Sequence, residues 1–222
     1  MLEAIIRLSN IKKTYDNIEY VLNGVDFQSG KGEFVVIQGK SGSGKSTLLN
    51  IIGLLDTYTS GQYFFEDRLI NPQKNYPHLR ANKIGFVFQS YHLIESLSVK
   101  ENVLLPFLYS DSRLNSCTLT TIESILDKFN LSKFERKKVS LLSGGEKQRV
   151  AIARAIIKYP DIIIADEPTG NLDEENTSTI INAFQQLARA GNAAIIMVTH
   201  NSQIADCGTS KYLLSEGKLI RC

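Results

Sequence analysis

The stretch FVVIQGKSGSGKSTLLNII, residues 34–52, decides the fold of this chain. Its first four residues are apolar, which predicts a short buried strand, and its last six have the composition of a helix. Between them, residues 39–46 fit the spacing Gly, any four residues, Gly-Lys-Ser. A strand, a glycine-rich loop and a helix in this order predict a loop that wraps around phosphate groups.

The residue types in this loop suit phosphate chemistry. Three glycines let the backbone curl so that consecutive N–H groups point inward, and the helix N-terminus adds its positive end. Lys45 then reaches the β- and γ-phosphates, and the Ser46 hydroxyl binds Mg²⁺. We therefore assign nucleotide binding to the whole run: Gly39, Lys40, Ser41, Gly42, Ser43, Gly44, Lys45, Ser46 and Thr47.

Composition excludes several other classes of protein. The 222 residues are 43% hydrophobic and 22% charged, which is typical of a folded globular domain and unlike a disordered chain. A net charge of +2 gives no general basic field, so we expect no nucleic-acid partner. Three cysteines without a CxxC pair disfavour a disulfide framework and a zinc site. We find no signal peptide or membrane-spanning segment, and expect a cytoplasmic protein.

Apolar runs alternate with helical patterns, which predicts an α/β fold with a mostly parallel sheet. Strongly apolar runs predict strands covered on both faces, at residues 34–37, 84–88, 162–165 and 194–198. Shorter pieces near residues 5–8, 21–27 and 62–65 predict an antiparallel β flank. We expect one domain over residues 1–222, with a core from 1–90 and 159–222 and an inserted helical subdomain from 91–158.

A second motif, IIIADEP at residues 162–168, ends an apolar strand in two adjacent carboxylates. Alone it would fit a strand followed by a solvated acidic turn. Beside a phosphate loop, Asp166 is a candidate to hold Mg²⁺ opposite Ser46, and Glu167 to polarise the attacking water. Both carboxylates can approach one site only where the strand ends and the chain turns.

A third motif is LSGGEKQRVAIARA, residues 142–155. Ser143, Gly144 and Gly145 predict a small turn suited to anions, and residues 146–157 predict a helix whose positive end faces it. We expect a buried face (Val150, Ala153, Ile157) and a surface face (Lys147, Gln148, Arg149). One γ-phosphate does not need two such cradles from one chain, so the motif implies a second molecule.

The order of these motifs resembles the nucleotide-binding subunit of ATP-binding cassette (ABC) transporters, over essentially the whole chain. The resemblance implies a P-loop NTPase (RecA-like) core and an ATPase that uses ATP and Mg²⁺. It also implies that two copies meet head to tail. Each ATP would then lie between the phosphate loop of one copy and the LSGGE turn, Ser143 to Glu146, of the other.

The resemblance implies further roles. Tyr15 in KKTY corresponds to the aromatic residue that stacks on adenine, and Gln89 in FVFQ to the glutamine that touches Mg²⁺ or the attacking water. His200 in MVTH matches the histidine that contacts the γ-phosphate. Asp173 in GNLD matches the aspartate of the dimer-crossing loop, where Asn171 replaces the Ser or Ala of many relatives.

The stretches GLLDTYTSGQYFFED and SVKENVLLPFLYS are similar to the branch of MacB-type, lipoprotein-releasing and bacteriocin or peptide exporters. This implies export or extraction of a peptide, lipoprotein or hydrophobic substrate through a transmembrane permease subunit, with this chain on the inner face of the membrane. Two alternatives stay open: a non-transporting cassette that drives a cell-envelope or division process, and a soluble ABC ATPase. The short interval from Gln89 to Leu142, without sustained heptads, is unlike the coiled-coil insertions of the latter class.

Overall fold

A computed structural model describes residues 4–16, 18–109, 116–170 and 172–222, with side chains left out at 116–119. Strands are numbered in chain order: β1 Ala4–Thr14, β2 Tyr20–Gly30, β3 Phe34–Gln38, β4 Ser60–Phe65, β5 Arg68–Leu69, β6 Ile84–Val87, β7 Ile162–Asp166, β8 Ala194–Val198, β9 Ser210–Ser215 and β10 Lys218–Arg221. Helices are α1 Lys45–Ile52, α2 Pro77–Lys83, α3 Val99–Leu108, α4 Ser116–Lys128, α5 Gly144–Ile156, α6 Glu174–Arg189 and α7 Ser202–Ala205.

The central sheet has six strands in the order β10-β9-β3-β8-β7-β6. All neighbouring pairs are parallel except the terminal β9–β10 hairpin. Side chains of β3 alternate between two buried clusters: Phe34 and Val36 face one, and Val35 and Ile37 face the other. This two-sided burial is why these strands are uniformly apolar, and it confirms the predicted α/β fold.

An antiparallel sheet, ordered β2-β1-β4-β5, covers one face of the central sheet. Its apolar side chains, with those of α1, pack into the same cluster as Val35 and Ile37. The predicted β flank is therefore confirmed, and β1 and β2 are longer than their apolar pieces indicated. Register shifts occur along the β1–β2 ladder. They interrupt the alternation of apolar and polar residues, so the ends of these strands were hard to predict from the sequence.

Between β6 and β7, which are neighbours in the sheet, the described chain contains helices and no named strand. Here α3 and α5 pack together, and α5 also packs on β6. The predicted helical insertion is therefore present, and its bounds at 91–158 stay a prediction. Residues 110–115, which lie in the Ser- and Thr-rich part of this insertion, are outside the described residues, as is Asn171.

One prediction for α5 is wrong. Val150, Ala153 and Ile157 are buried as expected, but Gln148, predicted at the surface, is only 1% exposed. Because α5 is covered by both α3 and β6, more of its circumference is buried than a helix with one apolar face would have. The structure thus encloses a polar side chain beside the LSGGE turn.

None of the helices in the described part of the chain has the length and apolar character that crossing a bilayer requires.

Candidate functional site

The phosphate loop joins β3 to α1 with the backbone geometry that its glycines allow. Gly42 and Gly44 have φ angles of 77° and 97°, which side-chain-bearing residues rarely adopt. A Cβ on Gly39 would lie 2.5 Å from the carbonyl oxygen of Leu214, so no other residue fits there. The Lys45 ammonium donates to the carbonyl oxygens of Gly39 and Lys40, both at 2.8 Å, and is held inside the loop's own curve.

The ends of β7 and β8 bring acidic and basic groups to this loop. Asp166 closes β7, and Glu167 follows with a φ of 46°, a left-handed turn that swings its carboxylate toward the sheet edge. His200, after β8, lies with Nδ1 2.9 Å from Glu167 Oε1. The other oxygen, Oε2, is buried and has no hydrogen-bond partner among the described residues. A buried acceptor left free in this way suits a water molecule or a ligand hydroxyl.

One cavity of about 500 Å³ gathers the predicted catalytic and metal-binding residues. Its wall contains Lys45, Ser46, Gln89, Asp166, Glu167 and His200, together with the loop glycines 42 and 44. These residues come from four separate strand ends of the chain. Ligands bind at the carboxyl ends of parallel strands in open α/β sheets, and this cavity lies there.

Asp166 has an environment suited to a cation. Burial raises the pKa of its carboxyl, a hydrogen bond from Ser46 opposes this, and the neighbouring Glu167 charge raises it further. The Lys45 ammonium offsets part of this cost, and a divalent cation would offset the cost of ionising two adjacent carboxylates further. The Ser46 hydroxyl and the Asp166 carboxylate are oxygen ligands of the kind Mg²⁺ prefers, so the residues fit this metal.

Tyr15 lies in a neighbouring cavity of about 710 Å³ whose wall also contains Ser41, Gly42 and Ser43 of the phosphate loop. The residue is 65% exposed, which leaves a surface for stacking on a base. Its hydroxyl donates to Asp56 Oδ2 at 2.7 Å, and the Lys13 ammonium lies 4.5 Å from the ring centroid. Burial and the Asp56 carboxylate raise the pKa of Tyr15, so the phenol stays neutral.

Sequence reasoning missed the support beneath this ring. Lys13 is buried and pairs with Asp56 at 2.8 Å, and it also donates to the carbonyl oxygen of Thr57 at 2.7 Å. Lys13 lies near the end of β1, and Tyr15 is the first residue after that strand. The short K-T-Y spacing was therefore a usable signal, while Asp56, far along the chain, carried none.

The LSGGE turn lies outside both cavities, as Ser143, Gly144, Gly145 and Glu146 are not part of either wall. It opens α5 through a capping box: Glu146 N–H donates to Ser143 Oγ, and Ser143 N–H donates to Glu146 Oε2 at 2.8 Å. Burial raises the pKa of Glu146, but the hydrogen bonds from Ser143 outweigh it and hold that pKa below its usual range. The turn therefore keeps a carboxylate charge of its own.

Asp173 is also outside these two cavities. It caps α6, accepting from the backbone N–H of Asn176 at 2.8 Å. The side chain of Asn176 in turn reaches Arg149 of α5. One subunit therefore forms a phosphate-loop cavity without the LSGGE turn and without Asp173.

Comparisons with known proteins agree with this geometry. The sequence model of the family described as "ABC transporter" matches residues 22–170, more than half of the chain. The lipoprotein-releasing system ATP-binding protein LolD of Rickettsia bellii is 41% identical over 99% of both chains. The macrolide export ATP-binding/permease protein MacB of Mannheimia succiniciproducens is 42% identical over 92% of this chain and 32% of its own length.

Solved structures show the same fold. A dimeric post-hydrolysis state of the ATP-binding cassette MJ0796, bound to ADP and Pi, superposes with a TM-score of 0.87. It is 36% identical and covers 96% of each chain. A second dimeric structure of MJ0796, a bacterial ABC transporter cassette, gives the same TM-score at 37% identity, with 96% of each chain covered.

Proposed function

This chain belongs to the ABC transporter family, whose cassettes dimerise and hydrolyse ATP, and from that premise we propose how its own residues divide the work. Two copies hold each ATP between the phosphate loop of one and the LSGGE turn of the other. Binding closes the pair, and hydrolysis opens it. The motion drives a transmembrane permease subunit that exports or extracts a peptide, lipoprotein or hydrophobic substrate.

One observation carries this proposal. Lys45, Ser46, Gln89, Asp166, Glu167 and His200 share one cavity wall, whereas Ser143 and Asp173 lie outside it. The first group can hold a triphosphate and orient a water. The second group lies on the same polypeptide but is not part of that cavity wall. A second copy supplies Ser143 and Asp173 to the nucleotide.

Within the cavity, each side chain has a distinct role. Lys45 leaves its two loop carbonyl oxygens and donates to the phosphate oxygens, where it stabilises charge that builds up during transfer. Glu167 offers its free Oε2 to the attacking water, and His200 holds Oε1 and fixes the orientation of the carboxylate. Positioning a water in line and stabilising equatorial charge supply most of the rate gain in phosphoryl transfer.

Ser46, Asp166 and Gln89 would hold Mg²⁺, which neutralises charge on the β- and γ-phosphate oxygens. Tyr15 stacks on the adenine, with its ring supported by Lys13 and oriented by Asp56. This places the base and the triphosphate in two adjoining cavities whose walls share Ser41 and Gly42. A nucleotide can bridge them along the phosphate loop.

The helical subdomain transmits changes at the nucleotide site to the permease. Gln89 follows the end of β6 and connects the nucleotide site to residues 91–158, the proposed helical subdomain. A change at the nucleotide is therefore passed through Gln89 to that subdomain. The permease contacts this subdomain from the membrane side and keeps the chain at the inner face of the membrane. The likeness to lipoprotein-releasing and macrolide-export cassettes supports this class of transport.

The test is ATP-dependent dimerisation of two variants. Glu167→Gln should bind ATP and form a stable dimer in sedimentation velocity, while hydrolysis slows by about 10²–10⁴ because the carboxylate that polarises the water is lost. Adding Ser143→Arg to that variant should leave nucleotide binding by the single chain intact and abolish the dimer. An intact ATP dimer with Ser143→Arg would contradict the shared site, and normal turnover in Glu167→Gln would remove Glu167 from its role.

A further inference from the structure

One side chain joins the LSGGE turn to residues 172–173, which precede α6 and are called the Asp173 loop below. Asn176, in the first turn of α6, lies against the start of α5. A Cβ built on Gly145 would come within 2.7 Å of Asn176 Cγ and Oδ1, so the amide packs directly on the backbone of the LSGGE turn. Gly145 is buried at this contact, and no larger residue fits there while Asn176 keeps its position.

Hydrogen bonds fix the direction of this amide. Arg149, one turn into α5, donates from a terminal guanidinium nitrogen to Asn176 Oδ1 at 2.8 Å. Asn176 Nδ2 donates to both carboxylate oxygens of Asp173, at 3.0 and 2.9 Å. The amide oxygen of Asn176 therefore accepts from α5, and its amide nitrogen donates to the residue that precedes α6. A carboxylate at position 176 could make only the first of these contacts.

The surroundings make the link stiff. Arg149 Nε and Gln148 Nε2 are both buried and lack hydrogen-bond partners among the described residues. The Asn176 bond, together with the nearby Glu146 carboxylate, offsets the burial of this guanidinium. Asp173 is at the same time fixed by the backbone N–H of Asn176. Moving either helix start alone would break the bonds that Asn176 makes to Arg149 and Asp173.

We propose that Asn176, through Arg149 and Asp173, is a positioning residue that makes the LSGGE turn and the Asp173 loop one rigid unit. This rests on the proposed shared site, in which both elements serve the nucleotide held by the other subunit. The unit then docks on the partner's ATP in a single step. Loosening it impairs hydrolysis in trans, at the partner's phosphate loop, and leaves the site on its own phosphate loop intact.

The test uses mixtures in which only one kind of site can hydrolyse ATP. Asn176→Asp is the preferred variant, because an acidic residue in the first turn of a helix supports folding while losing both bonds to Asp173. In the first mixture, a small amount of Asn176→Asp chain meets a tenfold excess of Glu167→Gln chain. The Asn176→Asp chain carries the intact Glu167, which faces the intact LSGGE turn of the Glu167→Gln chain. We expect the same turnover as when wild type is mixed with the same excess of Glu167→Gln chain.

In the second mixture, a small amount of wild type meets a tenfold excess of a chain carrying both Asn176→Asp and Glu167→Gln. The one functional Glu167 now faces a loosened unit, and we expect turnover about tenfold lower, because small errors in placement have large effects on such steps. Asn182→Asp, an exposed asparagine on the same helix, is the matched control and should behave as wild type in both mixtures. Asn176→Ala is the second variant.

Equal loss in both mixtures would show a merely structural role and overturn the proposal, as would no loss in either. Replacing Asn176→Asp by Ser143→Arg in the same two mixtures tests the shared site independently. If Ser143→Arg shows the loss only in the second mixture and Asn176→Asp does not, the positioning role fails and the shared site stands. If Ser143→Arg shows no such difference, the shared site itself fails.

Discussion

The phosphate loop and the LSGGE turn both place Ser-Gly at the start of a helix, at residues 43–44 and 143–144, yet the two helix starts differ. Gly44 is the N-cap of α1 and has a left-handed conformation, no side chain caps that helix, and its first turn has no acidic residue. Ser143 is the N-cap of α5, has an extended conformation and forms a complete capping box with Glu146. One helix start is open to an anion, and the other is satisfied by its own chain.

This difference indicates an order of events. An uncapped helix start with free backbone N–H groups binds phosphate directly, so the phosphate loop can take ATP alone. The LSGGE turn already holds a carboxylate, and it would repel a free nucleotide. We expect it to engage only a phosphate whose charge is largely neutralised by Lys45 and the metal of the partner. Four substitutions in the two turns test how far they differ.

Lys45→Met should have the largest effect. It removes the ammonium that the carbonyl oxygens of the phosphate loop hold in place, and we expect ATP turnover to fall by about 10²–10³, the loss typical of removing one preorganised charge donor. A steady-state phosphate-release assay measures it. Lys218→Met, at an exposed position on β10, removes the same charge elsewhere and is the control. Near-normal turnover in Lys45→Met would refute the open-loop description.

Ser143→Ala should destabilise the nucleotide-free chain by about 1 kcal/mol, because the cap of α5 is lost. Ser43→Ala is the matched change in the other turn. The Ser43 hydroxyl is buried without a partner among the described residues, so its removal should cost nothing measurable. Urea unfolding followed by circular dichroism compares the two. Equal losses would mean that the two helix starts are capped alike.

Glu146→Gln should have a smaller effect than Ser143→Ala, about 0.5 kcal/mol, since it removes a charge that favours the start of α5. The folded-state pKa of Glu146 is lowered, so its contribution is present above the ordinary pKa of about 4.3 and is lost as the pH falls through the lower folded value. The difference in stability between wild type and variant should therefore shrink below about pH 4. A difference that grew on acidification would contradict this assignment.

Strands and motifs that depend on neighbouring residues could be predicted from the sequence. The runs at β3, β7 and β8 are apolar throughout because both sheet faces are covered, and this shows without knowing what covers them. The β9–β10 hairpin was missed, because its strands are mixed in polarity and lie at the sheet edge. Gln148 was misplaced because the second partner of α5 is distant in sequence.

By itself, the sequence determined the fold class, the phosphate loop, the carboxylates after β7 and the family, since each depends on residue types at fixed short spacing. The tertiary structure decided which of these groups share a cavity, which lie outside it, and which residues support them. The pairing of Lys13 with Asp56, and the link from Arg149 through Asn176 to Asp173, join positions far apart along the chain. Such contacts depend on how strands and helices pack, and local spacing carries no record of them.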